Sequence, residues 1–130
     1  MRSRRSEPRP TDAELAILRV LWRRGPSTVR DVHDALNVER ATGYTTVLKL
    51  LQIMTEKGLV RRDEDARAHV YEAVQSEEHA QRRLVGDLLD RAFNGSAQQL
   101  VLQALTTKKA TPEELAEIRA LLDELEGGDA

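Results

Sequence analysis

The sequence contains no cysteine, and its only aromatic residues are one tryptophan, two tyrosines and one phenylalanine. The missing cysteine excludes disulfides, thiol catalysis and cysteine metal sites, and so few aromatics exclude an extensive aromatic core. No apolar run approaches the roughly 18 residues that a membrane-spanning helix needs. The opening "MRSRRSEPRP" lacks the apolar stretch of a secretion signal, so a cytoplasmic protein is expected. Glycine-rich phosphate loops, nucleophile elbows and paired catalytic carboxylates are also missing, which argues against an enzyme. His33, His69 and His79 form no pair at short ligand spacing, so neither a metal site nor a cofactor is expected.

What is present is charge: 32% of the 130 residues are Asp, Glu, Lys or Arg, with a net charge of -2. Residues 1–75 hold 14 lysines and arginines against 11 acids, and residues 76–130 hold 6 against 11. A weakly basic front and an acidic back suit a polyanion-binding module joined to a segment that does not touch the polyanion.

The chain reads as helices punctuated by caps. Residues 1–10, with four arginines and two prolines, are expected to be a disordered basic arm, with minor-groove contact as the alternative. Thr11 to Glu14 form a capping box that opens a helix to about Arg24. Its residues Leu15, Ile17, Leu18, Leu21 and Trp22 face a core, and Gly25 and Pro26 stop it. Thr28 with Asp31 repeats the cap for a short second helix, with Val29, Val32 and Leu36 inward and Asn37 as its breaker. A third helix runs from about Thr42 to Lys57, with Val47, Leu50, Leu51 and Met54 as its core stripe and Gly58 as its left-handed stop. Leu59 and Val60, then "HVYEAV", predict two short strands around a charged turn. This order predicts a mainly α fold with a small β-hairpin: a winged helix-turn-helix domain over residues 11–75.

Residues 76–126 read as three further helices, followed by a tail at 127–130. The first of them ends at Asn94 and Gly95, and the last opens with a third box, Thr111 to Glu114, with Pro112 at its first position. The middle helix, "AQQLVLQAL", is apolar nearly all round, which predicts burial on more than one side. So short a helical segment cannot enclose that much apolar surface alone. A homodimer through Leu88, Leu89, Phe93, Leu100, Val101, Leu105, Leu115, Ile118 and Leu122 would cover it, and packing back onto the N-terminal module is the alternative.

At 100° per residue, the face of the third helix opposite its core stripe carries Thr42, Thr45, Lys49, Gln52 and Glu56, with Thr46 on its flank. In a helix-turn-helix the second helix of the pair enters the major groove by its N-terminal residues. Thr45, Thr46 and Lys49 are therefore expected at base edges or phosphates of double-stranded DNA. Tyr44 is expected at a phosphate with its ring on the second helix, and Arg62 and Arg67 of the wing on the backbone. Tyr71 is expected to pack beneath the wing. A protein-interaction module using the same face, or a repressor released by a small-molecule effector, are the competing readings.

The stretch "YTTVLKLLQIMTEKGLVRR", preceded by "AELAILRVLW" and "STVRDVHDAL" and followed by "ARAHVYEAV", resembles the penicillinase-repressor family of BlaI, MecI and CopY type. The C-terminal "FNGSAQQLVLQAL" and "TPEELAEIRALLDELE" resemble its dimerisation region. The resemblance implies a homodimeric repressor on a palindromic operator, serving β-lactam resistance or a related stress response. It also implies a membrane sensor protease as partner, with cleavage near Gln103 and Ala104, where several relatives carry asparagine at the first position. The absence of cysteine sets the chain apart from the copper-responsive branch, whose tail carries a cysteine-rich motif. Ile53 and Glu56 stand where relatives often carry arginine and lysine, which predicts fewer phosphate contacts.

Overall fold

Local hydrogen bonding sets the helix starts. In a computed structural model, which describes residues 9–65 and 67–128, Thr11 Oγ1 accepts from the Glu14 amide at 3.2 Å while Glu14 Oε1 accepts from the Thr11 amide at 2.9 Å. Thr28 with Asp31 repeats the reciprocal pair at 3.1 Å for both bonds, and Thr111 with Glu114 at 2.9 and 3.0 Å. Each box satisfies two amides that a helix start leaves without partners, and losing such a cap typically costs about 1 kcal/mol. The elements that follow are α1 (Asp12–Arg24), α2 (Val29–Leu36), α3 (Tyr44–Lys57), β1 (Val60–Asp63), β2 (Val70–Ala73), α4 (Glu77–Ala92), α5 (Ala97–Thr107) and α6 (Pro112–Gly128).

The periodic apolar positions of α1, α2 and α3 converge. Ile17, Leu18 and Leu21 meet Val29 and Val32, then Val47, Leu51 and Met54, and Leu59, Val60 and Tyr71 close the core from the wing side. Leu36 and Leu50, expected inside, are half-buried against this cluster. α3 ends at Gly58, whose φ of 84° and ψ of 14° place it in the left-handed region that glycine enters without strain.

The two strands pair antiparallel, with Val60 opposite Ala73, Arg61 opposite Glu72, Arg62 opposite Tyr71 and Asp63 opposite Val70. A further bridge joins Ser27 to Tyr71 through amide–carbonyl bonds of 2.9 and 2.8 Å, so the segment between α1 and α2 pairs with the wing. The indole of Trp22 donates to the Gln75 carbonyl at 2.9 Å, which fastens the end of α1 to the end of the hairpin. Lys57 Nζ lies 2.6 Å from Glu14 Oε1, and the Glu14 side chain is only 3% exposed. Burial alone would raise the Glu14 pKa, but bonds from Lys57 and Thr11 outweigh it and hold the carboxyl below its ordinary value.

The chain divides into two compact units between Arg83 and Leu84, two turns into α4. In the second unit α4 ends with Asn94 and Gly95 at positive φ, 51° and 80°, and the Gly95 amide reaches back to the Leu89 carbonyl at 2.8 Å. Neither α5 nor α6 has a buried residue. Leu100 and Leu105 are half-buried, while Val101 and Leu102 are 46% and 54% exposed, so a single chain does not cover α5 on more than one side. α6 runs through Gly127 and Gly128, which the sequence had placed in a tail, a shift within the ordinary spread of helix ends. Of the expected basic arm, residues 1–8 lie outside the described residues. None of the helices among the described residues is long and apolar enough to cross a membrane.

Candidate nucleic-acid interface

The turn between α2 and α3 is closed by one side chain. Asn37 Nδ2 donates to the His33 carbonyl at 2.7 Å and to the Thr42 carbonyl at 2.9 Å, and Asn37 Oδ1 accepts from the Thr42 amide at 3.0 Å. Thr42 is thereby held in the turn, which is why α3 starts two residues later than its sequence pattern suggested. Thr42 sits beside the expected contact face rather than on the helix. Asn37 looked like a simple helix breaker in the sequence, because its partners are set by the path of the turn.

α3 begins at Tyr44 with Gly43 as its N-cap, with no side-chain cap bond and no acid in its first turn. Its leading amides and the positive end of its dipole are therefore left for an outside acceptor. Tyr44, Thr45, Thr46 and Lys49 are all exposed on this first stretch, while Val47, Leu51 and Met54 point into the core. The hydroxyls of Thr45 and Thr46 and the ammonium of Lys49 have no hydrogen bond or ion pair among the described residues. Gln52, Ile53 and Glu56 continue the exposed face toward the helix end, without a basic residue.

Tyr44 packs on α2 as expected. Its ring meets the His33 ring edge-on at 5.8 Å and 63°, and the Arg30 guanidinium lies 5.5 Å from its centroid. Two other polar groups of α2 are already engaged. Asp31 accepts from the Thr28 amide and lies 3.6 Å from Arg24, and interactions with Thr28 first and Arg24 second lower its pKa against the effect of burial. Asp34 Oδ1 lies 3.1 Å from His33 Nδ1.

The wing treats its two adjacent arginines differently. Strand pleating puts Arg61 outward, paired with Glu72 at 3.3 Å, whereas Arg62 shares a face with Val60 and with buried Tyr71 directly opposite. Arg62 Nε donates to Glu64 Oε2 at 3.1 Å, and Nη2 donates to the same oxygen. The pKa of Arg62 is raised by Glu64 first and Tyr71 second, while Arg62 lowers that of Glu64. Arg62 would have to release Glu64 to take a phosphate. Arg67 is exposed near the tip and has no partner among the described residues. Gln103 and Ala104 are exposed in the middle of α5.

Three helices, a two-stranded wing and an open polar face on the third helix define a winged helix-turn-helix protein. The chain belongs to the penicillinase repressor family, whose profile matches residues 10–124. It is thus a member of a family of transcriptional repressors, not of enzymes. It is 37% identical over 118 residues to the transcriptional regulator BlaI of Mycobacterium tuberculosis, covering 90% of this chain and 85% of that one. It is 25% identical over 117 residues to the penicillinase repressor of Bacillus licheniformis, covering 90% and 91%. The solution structure of monomeric Bacillus licheniformis BlaI in complex with the blaP half-operator aligns at 24% identity and a TM-score of 0.49, over 55% of this chain and 87% of that one. At that score the likeness adds no weight to the fold, which stands on the geometry above.

Proposed function

We propose that this chain is a homodimeric repressor that binds a palindromic operator, with α3 in the major groove and the wing on the backbone. The observation that carries the reading is the first stretch of α3: Thr45, Thr46 and Lys49 stand exposed and without partners on a helix whose start has no side-chain cap. Lysine supplies a donor for guanine or phosphate, and threonine supplies a hydroxyl for base edges or a methyl against thymine. Tyr44, Thr42 and Arg67 border this face, and Arg62 joins it on leaving Glu64.

The second unit supplies the two-fold contact. An open groove of about 500 Å³ between α5 and α6 carries Leu105, Ile118 and Leu121 together with Lys108, Lys109, Glu114 and Glu117. A two-fold axis can set each copy's lysines against the other's glutamates, which makes the groove self-complementary. By family membership the target genes belong to β-lactam resistance or a related stress response, and induction proceeds through a membrane sensor protease that cuts near Gln103 and Ala104 in α5.

DNase footprinting of DNA from the gene's own promoter region should show two protected half-sites about one helical turn apart. Lys49→Ala should weaken that complex and change its base preference, as measured by fluorescence anisotropy against a set of mutated half-sites. A competitor-sensitive smear without a defined footprint would instead favour a protein-interaction module.

A further inference from the structure

Arg30 is the second residue of α2, and no contact with DNA assigned so far uses it. It lies 5.5 Å from the Tyr44 ring centroid, and His33, one turn further along α2, meets the same ring edge-on at 5.8 Å. The ring is therefore held by two α2 residues, while remaining 44% exposed at the start of α3. A guanidinium held by a ring's electrostatic attraction uses no N–H acceptor there and keeps its donors for other groups. Arg30 makes no hydrogen bond or ion pair among the described residues. The arginines with nearby acids differ: Arg24 is drawn to Asp31, Arg61 to Glu72 and Arg62 to Glu64. The acids of α2 do not compete for Arg30, since Asp31 serves the Thr28 cap and Arg24 and Asp34 bonds the His33 ring.

We propose that Arg30 is a phosphate-contacting residue of the DNA interface, kept extended and ready by the Tyr44 ring, which His33 in turn fixes from the side. Arg30 and the start of α3 then form one backbone clamp beside the turn of α3 that reads bases. Tyr44 gains a second role as the platform for the arginine, in addition to any bond from its phenol. Planar guanidinium suits phosphate through paired N–H donors, and an arginine already held against a ring has less freedom to lose on binding. The inference rests on the operator-binding reading above and adds to it a contact from outside α3.

The test is a fluorescence anisotropy titration of the footprinted operator duplex over a series of salt concentrations. Arg30→Gln removes the charge and leaves a shorter, still polar side chain. It should weaken binding several-fold, reduce the slope of log K against log salt by about one for each half-site, and leave the base preference unchanged. Tyr44→Phe keeps the platform and should retain the Arg30 share of the slope, whereas Tyr44→Leu should lose it. Arg30→Gln should then have little further effect in the Tyr44→Leu background. Circular dichroism melts check that each variant is folded, and a purely structural role for Arg30 would not move the salt slope. An unchanged slope in Arg30→Gln, with Lys49→Ala still weakening the complex, overturns this inference and leaves the operator reading standing. If the wild-type chain gives no footprint at all, the operator reading fails, and the inference with it.

Discussion

The two units of this chain use similar helices to opposite ends. In the first, up to Arg83, eleven apolar side chains from three helices and the wing are removed from water into one cluster. In the second, from Leu84, the helices are as regular and as well capped, yet none of α4, α5 or α6 contains a buried residue. Val101, Leu102, Leu121, Leu122 and Leu125 are each about half exposed or more. Good helix chemistry alone does not make a core, because helical stability in proteins comes chiefly from packing an apolar face against something else. The first unit finds that partner within its own sequence, and the second leaves its apolar faces open to a partner.

The strongest way to test the comparison is to remove a side chain on each side of it. Leu51 is fully buried, and Leu51→Ala should destabilise the protein by about 2–5 kcal/mol in denaturant melts, whatever the protein concentration. A loss below about 1 kcal/mol would mean the first unit collapses around the gap more freely than a packed core allows. Lys57→Met should have the next largest effect, on the order of 1–3 kcal/mol at neutral pH, since it leaves the Glu14 carboxylate 3% exposed without its cation. The folded pKa of Glu14 is lowered, so its contribution is present above the ordinary glutamate value and fades as pH falls through the folded one. The gap between wild type and Lys57→Met should therefore narrow in acid, where both proteins carry a neutral Glu14. Thermal melts across the acid range check this, and a gap independent of pH would assign the effect to lost packing of the lysine stem instead.

How much of this was legible in the sequence depends on the distance over which each signal acts. The three capping boxes and the core stripes of α1 and α3 are local, and residue spacing alone predicts them. The face of Thr45, Thr46 and Lys49 was legible for the same reason, as the complement of a stripe with helical period. What the sequence hid is contact between elements. Ser27 bridging to Tyr71, Asn37 closing the turn and Arg30 lying over Tyr44 have no spacing signature, since chain path decides which residues meet. Arg61 and Arg62 fall between these cases. Alternation says that one of the pair faces inward, but only the register with β2 says that it is Arg62, and a slip of one residue would exchange them.

The smallest expected change in intrinsic stability separates the two units most sharply. Leu122 is 54% exposed on α6, so Leu122→Lys should alter the stability of the isolated chain by no more than about 0.5 kcal/mol. If the second unit is a dimer contact, however, part of the wild-type stability comes from association and grows with protein concentration. Wild type should then melt higher at high concentration than at low, and Leu122→Lys should abolish that rise while matching wild type at the dilute end. Sedimentation equilibrium should show the same substitution shifting the chain from dimer to monomer. Leu51→Ala, by contrast, should lower the melting temperature at both concentrations and leave the slope between them in place. Equal melting of wild type and Leu122→Lys at every concentration, with the same sedimentation, would mean that this face of α6 is not where two copies meet. The apolar surface of the second unit would then need a different partner.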